Sequence, residues 1–172
     1  MTNVSTLTTL SLLKCKLTIE QAESILDVIT EQSQLKNLNL EYCNLSHVNL
    51  DLLRNINYLQ SVCLERTLLN RNQLKYIFTS MRERTLLKAI NLNGNRLPFI
   101  FAPLDQLENV SLACCRLTTG QVESFLNTIT EQTLLNNLDL RGNKLSNVNP
   151  VLLKKLNYLQ SVSLDGARLN RN

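Results

Sequence analysis

An eleven-place pattern recurs seven times in this chain and constrains its fold more than any other feature. Each instance opens on Leu, has apolar residues at places four and six, and closes on Leu at place eleven. The instances start at Leu7, Leu35, Leu59, Leu87, Leu107, Leu135 and Leu159. LKNLNLEYCNL and LNNLDLRGNKL are two of them, and the starts are separated by 28, 24, 28, 20, 28 and 24 residues. A longer period lies over the short one. Shifting the chain by 100 residues places Leu7 to Asn72 on Leu107 to Asn172 with about half of the positions identical, including NYLQSV and LNRN. The chain therefore reads as one domain over 1–172, built from a 100-residue unit (7–106) and a partial second copy (107–172). Self-similarity on this scale makes each unit one supersecondary element that buries its apolar face only against its neighbours.

Within each instance the apolar places four and six alternate with small polar residues. That period of two predicts a short strand with one buried face, carrying Leu38, Leu40, Leu64, Leu92, Leu112 and Leu140 inward. Place nine holds Cys15, Cys43, Thr67, Asn95, Cys115, Asn143 and Ala167. The longer intervals predict returning helices. Ile19, Ala22, Ile25, Leu26 and Ile29 recur at helical spacing behind Thr18 and Gln21, a capping box. Thr118 and Gln121 repeat the device ahead of Val122, Phe125, Leu126 and Ile129. A third helix is predicted over Arg71 to Arg84, with Leu74, Ile77, Phe78 and Met81 inward. DLLRNINY and VLLKKLNY hold about two turns each, and Pro98 and Pro103 disfavour a helix in PFIFAPLDQ.

The pattern L-x-x-L-x-L-x-x-N/C-x-L resembles that of leucine-rich repeat proteins, and the long helical returns are closest to the ribonuclease-inhibitor-like class. The resemblance implies an α/β solenoid of about seven repeats. Its curved parallel sheet lines the concave face, helices and short turns form the convex face, and the place-nine side chains bond neighbouring loop backbones. It also implies a protein-interaction module. Ribonuclease inhibition itself is not expected, because such inhibitors are acidic and Cys-rich, whereas this chain has a net charge of +4 and five cysteines.

Composition narrows the function classes. The chain of 172 residues has 38 Leu and 22 Asn but only four Gly and three Pro, and no run reaches the roughly 18 apolar residues of a membrane span. No basic n-region and apolar core mark a secretion signal, so the cytoplasm is the expected location. Five cysteines without a C-x-x-C pair and a single histidine supply no zinc set, and no metal or cofactor is expected. No phosphate loop, nucleophile elbow or metalloprotease motif occurs, so the chain is not expected to be an enzyme. His47, in a connector, and Cys114, in a turn beside Cys115, are surface side chains on this reading.

What remains is surface. Columns flanking the buried leucines fall on the concave face, and from them the candidate binding residues are Asn37, Asn39, Glu41, Tyr42, Glu65, Asn91, Asn93, Asn109, Asn137, Asp139, Arg141 and Asp165. Place ten gives a basic rim of Lys16, Arg96, Arg116, Lys144 and Arg168, suited to steering an acidic protein. The expected function is a non-catalytic module binding a protein partner through this face and rim. A regulator of a GTPase and a nucleic-acid binder using the rim are the alternatives, and a segment of a longer cytosolic receptor or adaptor array is a further one. Without capping repeats the two ends of the stack would expose core, which predicts self-association there.

Overall fold

The computed structural model describes residues 6–32, 34–82, 86–97 and 107–168. Its seven strands are β1 (Thr9–Ser11), β2 (Asn37–Asn39), β3 (Ser61–Cys63), β4 (Ala89–Asn91), β5 (Asn109–Ser111), β6 (Asn137–Asp139) and β7 (Ser161–Ser163). They form one parallel sheet in chain order. The register is that of the repeat. Thr9 pairs with Asn37, Asn37 with Ser61, and so on to Ser161, and each central apolar residue lies beside the next. Leu38, Leu40, Leu64, Leu92, Leu112 and Leu140 are all buried, at 2% exposure or less. Each buried Leu contributes about 2 kcal/mol by removal from water, so a one-residue slip that turned this face outward would cost the whole core.

Place nine forms a ladder inside the ascending turns. The Asn95 amide donates to the carbonyls of Leu64 (2.6 Å) and Leu92 (3.0 Å), and its oxygen accepts from the Leu69 amide. Asn143 repeats the set two repeats on, with Leu112, Leu140 and Leu117. Smaller groups make fewer bonds: the Cys43 and Cys115 thiols donate to Leu12 and Leu92 carbonyls, and the Thr67 hydroxyl to Leu64. Burial pushes the Cys115 thiol up to about 12, and nearby backbone hydrogen bonds offset only part of that effect. Ala167 fills the last place with a methyl group and bonds nothing through its side chain.

Long returns carry α1 (Ile19–Gln32), α2 (Arg71–Arg82) and α3 (Thr119–Thr128). Both predicted capping boxes form: Gln21 and Gln121 amides donate to Thr18 and Thr118 hydroxyls, and each Gln side chain accepts from its Thr amide. A third box caps α2 through Asn70 and Gln73. Arg84, the predicted end of that helix, lies outside the described residues, as does the side chain of Met81. Ile19 is a correction: it sits in the first turn of α1 at 41% exposure, where none of the described residues forms a preceding repeat to cover it. Ile129 is buried as expected but caps α3 from beyond its last turn.

The short returns are tighter than a regular α-helix. Leu50–Asn55 is a 3-10 segment, and the second copy has a single turn α4 (Pro150–Leu153) running into a 3-10 segment (Lys154–Tyr158). Asn49 and Asn149 cap them in the same way, donor amides being those of Asp51 and Val151. The amides of both Asn residues donate in turn to Glu23 and Glu123 on the preceding long helices. The segment PFIFAPLDQ falls outside the described residues.

Candidate functional site

The alternation that buries place four leaves places three and five on the opposite, concave face. Short side chains dominate there: Ser61, Cys63, Ala89, Ser111, Ser161 and Ser163 lie in a shallow open trough of about 250 Å³ over β3 to β7. Asn91, Asn109, Asn137 and Asp139 line the same trough. Parallel pairing in register holds these columns straight, so the face is a rigid plane of small polar groups.

Hydrogen bonds divide the twelve candidate residues into two kinds. Asn39, Asn91 and Asp139 occupy place five, and each side-chain oxygen accepts from the amide two residues on, that of Glu41, Asn93 and Arg141. They shape the turn that leaves the strand. Asn93 accepts from the Ser111 hydroxyl (2.8 Å) and the Ala113 amide (2.6 Å), tying β4 to β5. Asn137 donates its side-chain amide to Asn109, and Asn37 donates to Thr9. Glu65 accepts from Asn91.

Asp139 and Arg141 form a two-pronged ion pair, with Nε on Oδ1 at 2.9 Å and Nη2 on Oδ2 at 2.7 Å. Burial raises the Asp139 carboxyl, yet the side-chain and backbone bonds and the charge from Arg141, with a bond from Ser111, outweigh it and hold the group below the usual carboxylate range. The pair is thus neutral to the trough. Glu41 and Glu65 stand half-buried at place seven of neighbouring repeats, close enough to act on Cys63. Burial raises the Cys63 thiol, and the two carboxylates add to that rise. Asp165 is exposed at the far end of the same column.

Place eight is a column that the sequence reading missed. Lys14, Tyr42, Arg66, Gly94, Cys114, Gly142 and Gly166 all have positive φ, between 51° and 67°. Tyr42 is sandwiched there, with Lys14 Nζ 5.4 Å and Arg66 Cζ 5.3 Å from its ring centre. Beyond the stack the Arg66 side chain lies over Gly94, where an added Cβ would stand 2.5 Å from Arg66 Cγ. Cys114 lies over Gly142 likewise, at 2.7 Å from its Sγ. The glycines in NLNGN, LRGNK and LDGAR were the available signal.

At place ten, Lys16, Arg96, Arg116, Lys144 and Arg168 are all exposed. Arg116 and Arg168 hold φ of 55° and 47°. His47 and Cys114 are exposed and Cys115 is buried. Among the described residues no group of three His, Cys, Asp or Glu side chains stands where it could hold a metal ion, and no helix is long and apolar enough to cross a membrane.

No family model matches the sequence, and no curated protein matches it. Solved structures do share the architecture. Internalin C2 from Listeria monocytogenes superposes with a TM-score of 0.64 at 17% identity, covering 95% of this chain and 74% of that one. The leucine-rich repeat-containing protein LegL7 from Legionella pneumophila superposes with a TM-score of 0.58 at 18% identity, covering 94% of this chain and 57% of that one. At such identities the likeness is one of fold.

Proposed function

This chain has the leucine-rich-repeat fold, and we propose that it is a non-catalytic module that binds a protein partner through its concave strand face and its basic rim. One observation carries the proposal: the trough over β3 to β7 is lined mostly by short polar groups in fixed register, and its one charged lining residue, Asp139, is paired with Arg141. Such a floor lets a partner approach the sheet closely with little loss of side-chain entropy on this side. Candidates whose side-chain oxygens accept from backbone amides of the turns, Asn39, Asn91, Asn93 and Asp139, build it. Asn37, Tyr42, Glu65 and Asp165 edge it and are the groups offered to a partner. Five cations at place ten steer an acidic partner and make its association rate fall with added salt. The same reading places the protein in the cytoplasm, where an exposed thiol such as Cys114 stays reduced.

The test fills the trough without removing a hydrogen bond. Ala89→Arg combined with Ser161→Arg keeps the circular dichroism spectrum and melting point near those of the parent, and proteins captured from a lysate by the parent are lost. Val28→Arg, on the exposed side of α1, leaves capture unchanged. Equal capture by all three proteins would remove the concave face from the interaction.

A further inference from the structure

From β4 to β7 the turn side of the molecule changes character. Place ten carries a cation in four successive repeats, Arg96, Arg116, Lys144 and Arg168, and all four are exposed. Among the described residues none of them makes an ion pair or a side-chain hydrogen bond. The row is fixed at its base, because the amides of Gly94, Cys114 and Gly142 donate to the carbonyls of Ala113, Arg141 and Asp165 at 2.7 to 2.9 Å and hold the turns at the strand spacing. At about 4.8 Å per strand the four cations span about 14 Å. Place eight, which leads along the chain from the trough to the row, is Gly94, Cys114, Gly142 and Gly166 in these repeats. The strip therefore carries no long side chain of its own at place eight, and Arg66, lying over Gly94, closes it on the β3 side.

The first three repeats lack both features. Asn44 and Leu68 interrupt place ten, Lys14 and Arg66 are stacked on Tyr42, and Glu41 and Glu65 stand at place seven. Lys16 is thus separated from the row by two repeats. Over β4 to β7 the acids are answered: Arg141 pairs with Asp139 and its charge also acts on Asp165.

Four unpaired cations in line fit a linear polyanion. Phosphodiester and carboxylate chains both have that form, and the strip favours the second. Single-stranded nucleic acid gains much of its affinity from bases stacked on aromatic rings, and places seven, eight and ten over β4 to β7 hold none. An extended peptide rises about 3.4 Å per residue with alternate side chains on one side, so carboxylates at i, i+2 and i+4 span about 14 Å. That is the length of the row. Deepening the concave-face reading, on which this rests, we infer that the strip over β4 to β7 binds an extended acidic segment of the protein partner, of the form acid-x-acid-x-acid, lying across the strands. The outer carboxylates meet Arg96 and Arg168, and the middle one falls between Arg116 and Lys144, where a guanidinium fork takes two oxygens at once. The intervening residues face the short polar groups of the trough. Glu41 and Glu65 repel a longer acidic run, which confines the segment to these four repeats.

Fluorescence anisotropy tests the spacing with labelled nine-residue peptides built on the cores ESESE and SEEES, identical in composition, at about 50 mM salt, where screening is weak. The parent binds the alternating core at least about fivefold more tightly, since only that core sets its acids at the row's spacing. Arg116→Gln combined with Lys144→Gln weakens this binding at least about tenfold and flattens its salt dependence. Lys16→Gln leaves it unchanged, and all variants keep the circular dichroism spectrum of the parent. Equal binding of the two cores overturns the inference, as does a Lys16→Gln loss matching that of the pair, or tighter binding of an oligouridylate of equal charge. If the parent binds neither peptide while Ala89→Arg with Ser161→Arg still loses its lysate capture, the acidic strip is overturned and the concave-face reading stands.

Discussion

At the scale of single residues, backbone conformation decides more than side-chain chemistry. Four side-chain-bearing residues of the place-eight column hold a left-handed conformation that costs an L-residue about 1 kcal/mol or more. Gly94, Gly142 and Gly166 escape that cost, and at two of them the preceding repeat's side chain occupies the space a Cβ would need. Gly142→Ala should therefore destabilise by about 2 to 3 kcal/mol, from strain plus contact with Cys114. Gly166→Ala, with no neighbour nearer than 3.9 Å, should lose only the strain, about 1 kcal/mol. Gly120 has open space around it and lies in the first turn of α3, so Gly120→Ala should stabilise by about 0.5 kcal/mol. Urea denaturation of the three variants checks the order, and equal effects would refute the packing account. The ladder was legible in the sequence because Asn, Cys and Thr at a fixed place have one common use there. Place eight was not, since four unlike side chains share a backbone conformation that nothing in their chemistry announces.

At the scale of elements, the repeat pattern located every strand because each contributes only three residues whose burial alternates, and register does the rest. Helices followed from the capping pairs. Thr118→Ala should lower stability by about 1 kcal/mol and leave β6 intact, and Thr118→Ser should recover most of it, both measured by thermal melts. The box at Asn70 and Gln73 went unread because LNRNQ offers two asparagines, and only the fold shows that the first is the cap. The short returns were legible as short but not as 3-10 turns. Their length is set by the chord between two strands, and with 24 residues per repeat the chain closes that chord with fewer residues per turn. Ile19 was misplaced because a helical stripe predicts burial only where a neighbour exists to cover it. Of the candidate site, the columns could be read from alternation, whereas the split between residues that build the face and those that edge it depends on bonds between repeats 18 to 28 residues apart.

At the scale of the whole molecule, the duplication supplies its own control. Val62, Leu64 and Leu59 are buried at 4%, 0% and 4%, and their equivalents Val162, Leu164 and Leu159 are only partly buried, since α2 and β4 cover the first set alone. Leu10 and Leu12 are likewise half-covered while Val110 and Leu112 are buried. Stability in such an array is a sum over neighbouring repeats. Backbone amides of β3 to β5 should thus exchange with solvent at least about tenfold more slowly than those of β1 and β7, as hydrogen exchange read by mass spectrometry would show. Uniform protection along the chain would mean that the repeats unfold as one block.

The ladder gives this arrangement a mechanical meaning. Asn95 and Asn143 each bond one turn to the carbonyls of two successive repeats, whereas Ala167 makes no such side-chain bond. Under tension the molecule should behave as links in series whose strengths differ: the links stapled by an amide hold longest, and the links at Thr67, whose hydroxyl bonds only its own repeat, and at Ala167 open first.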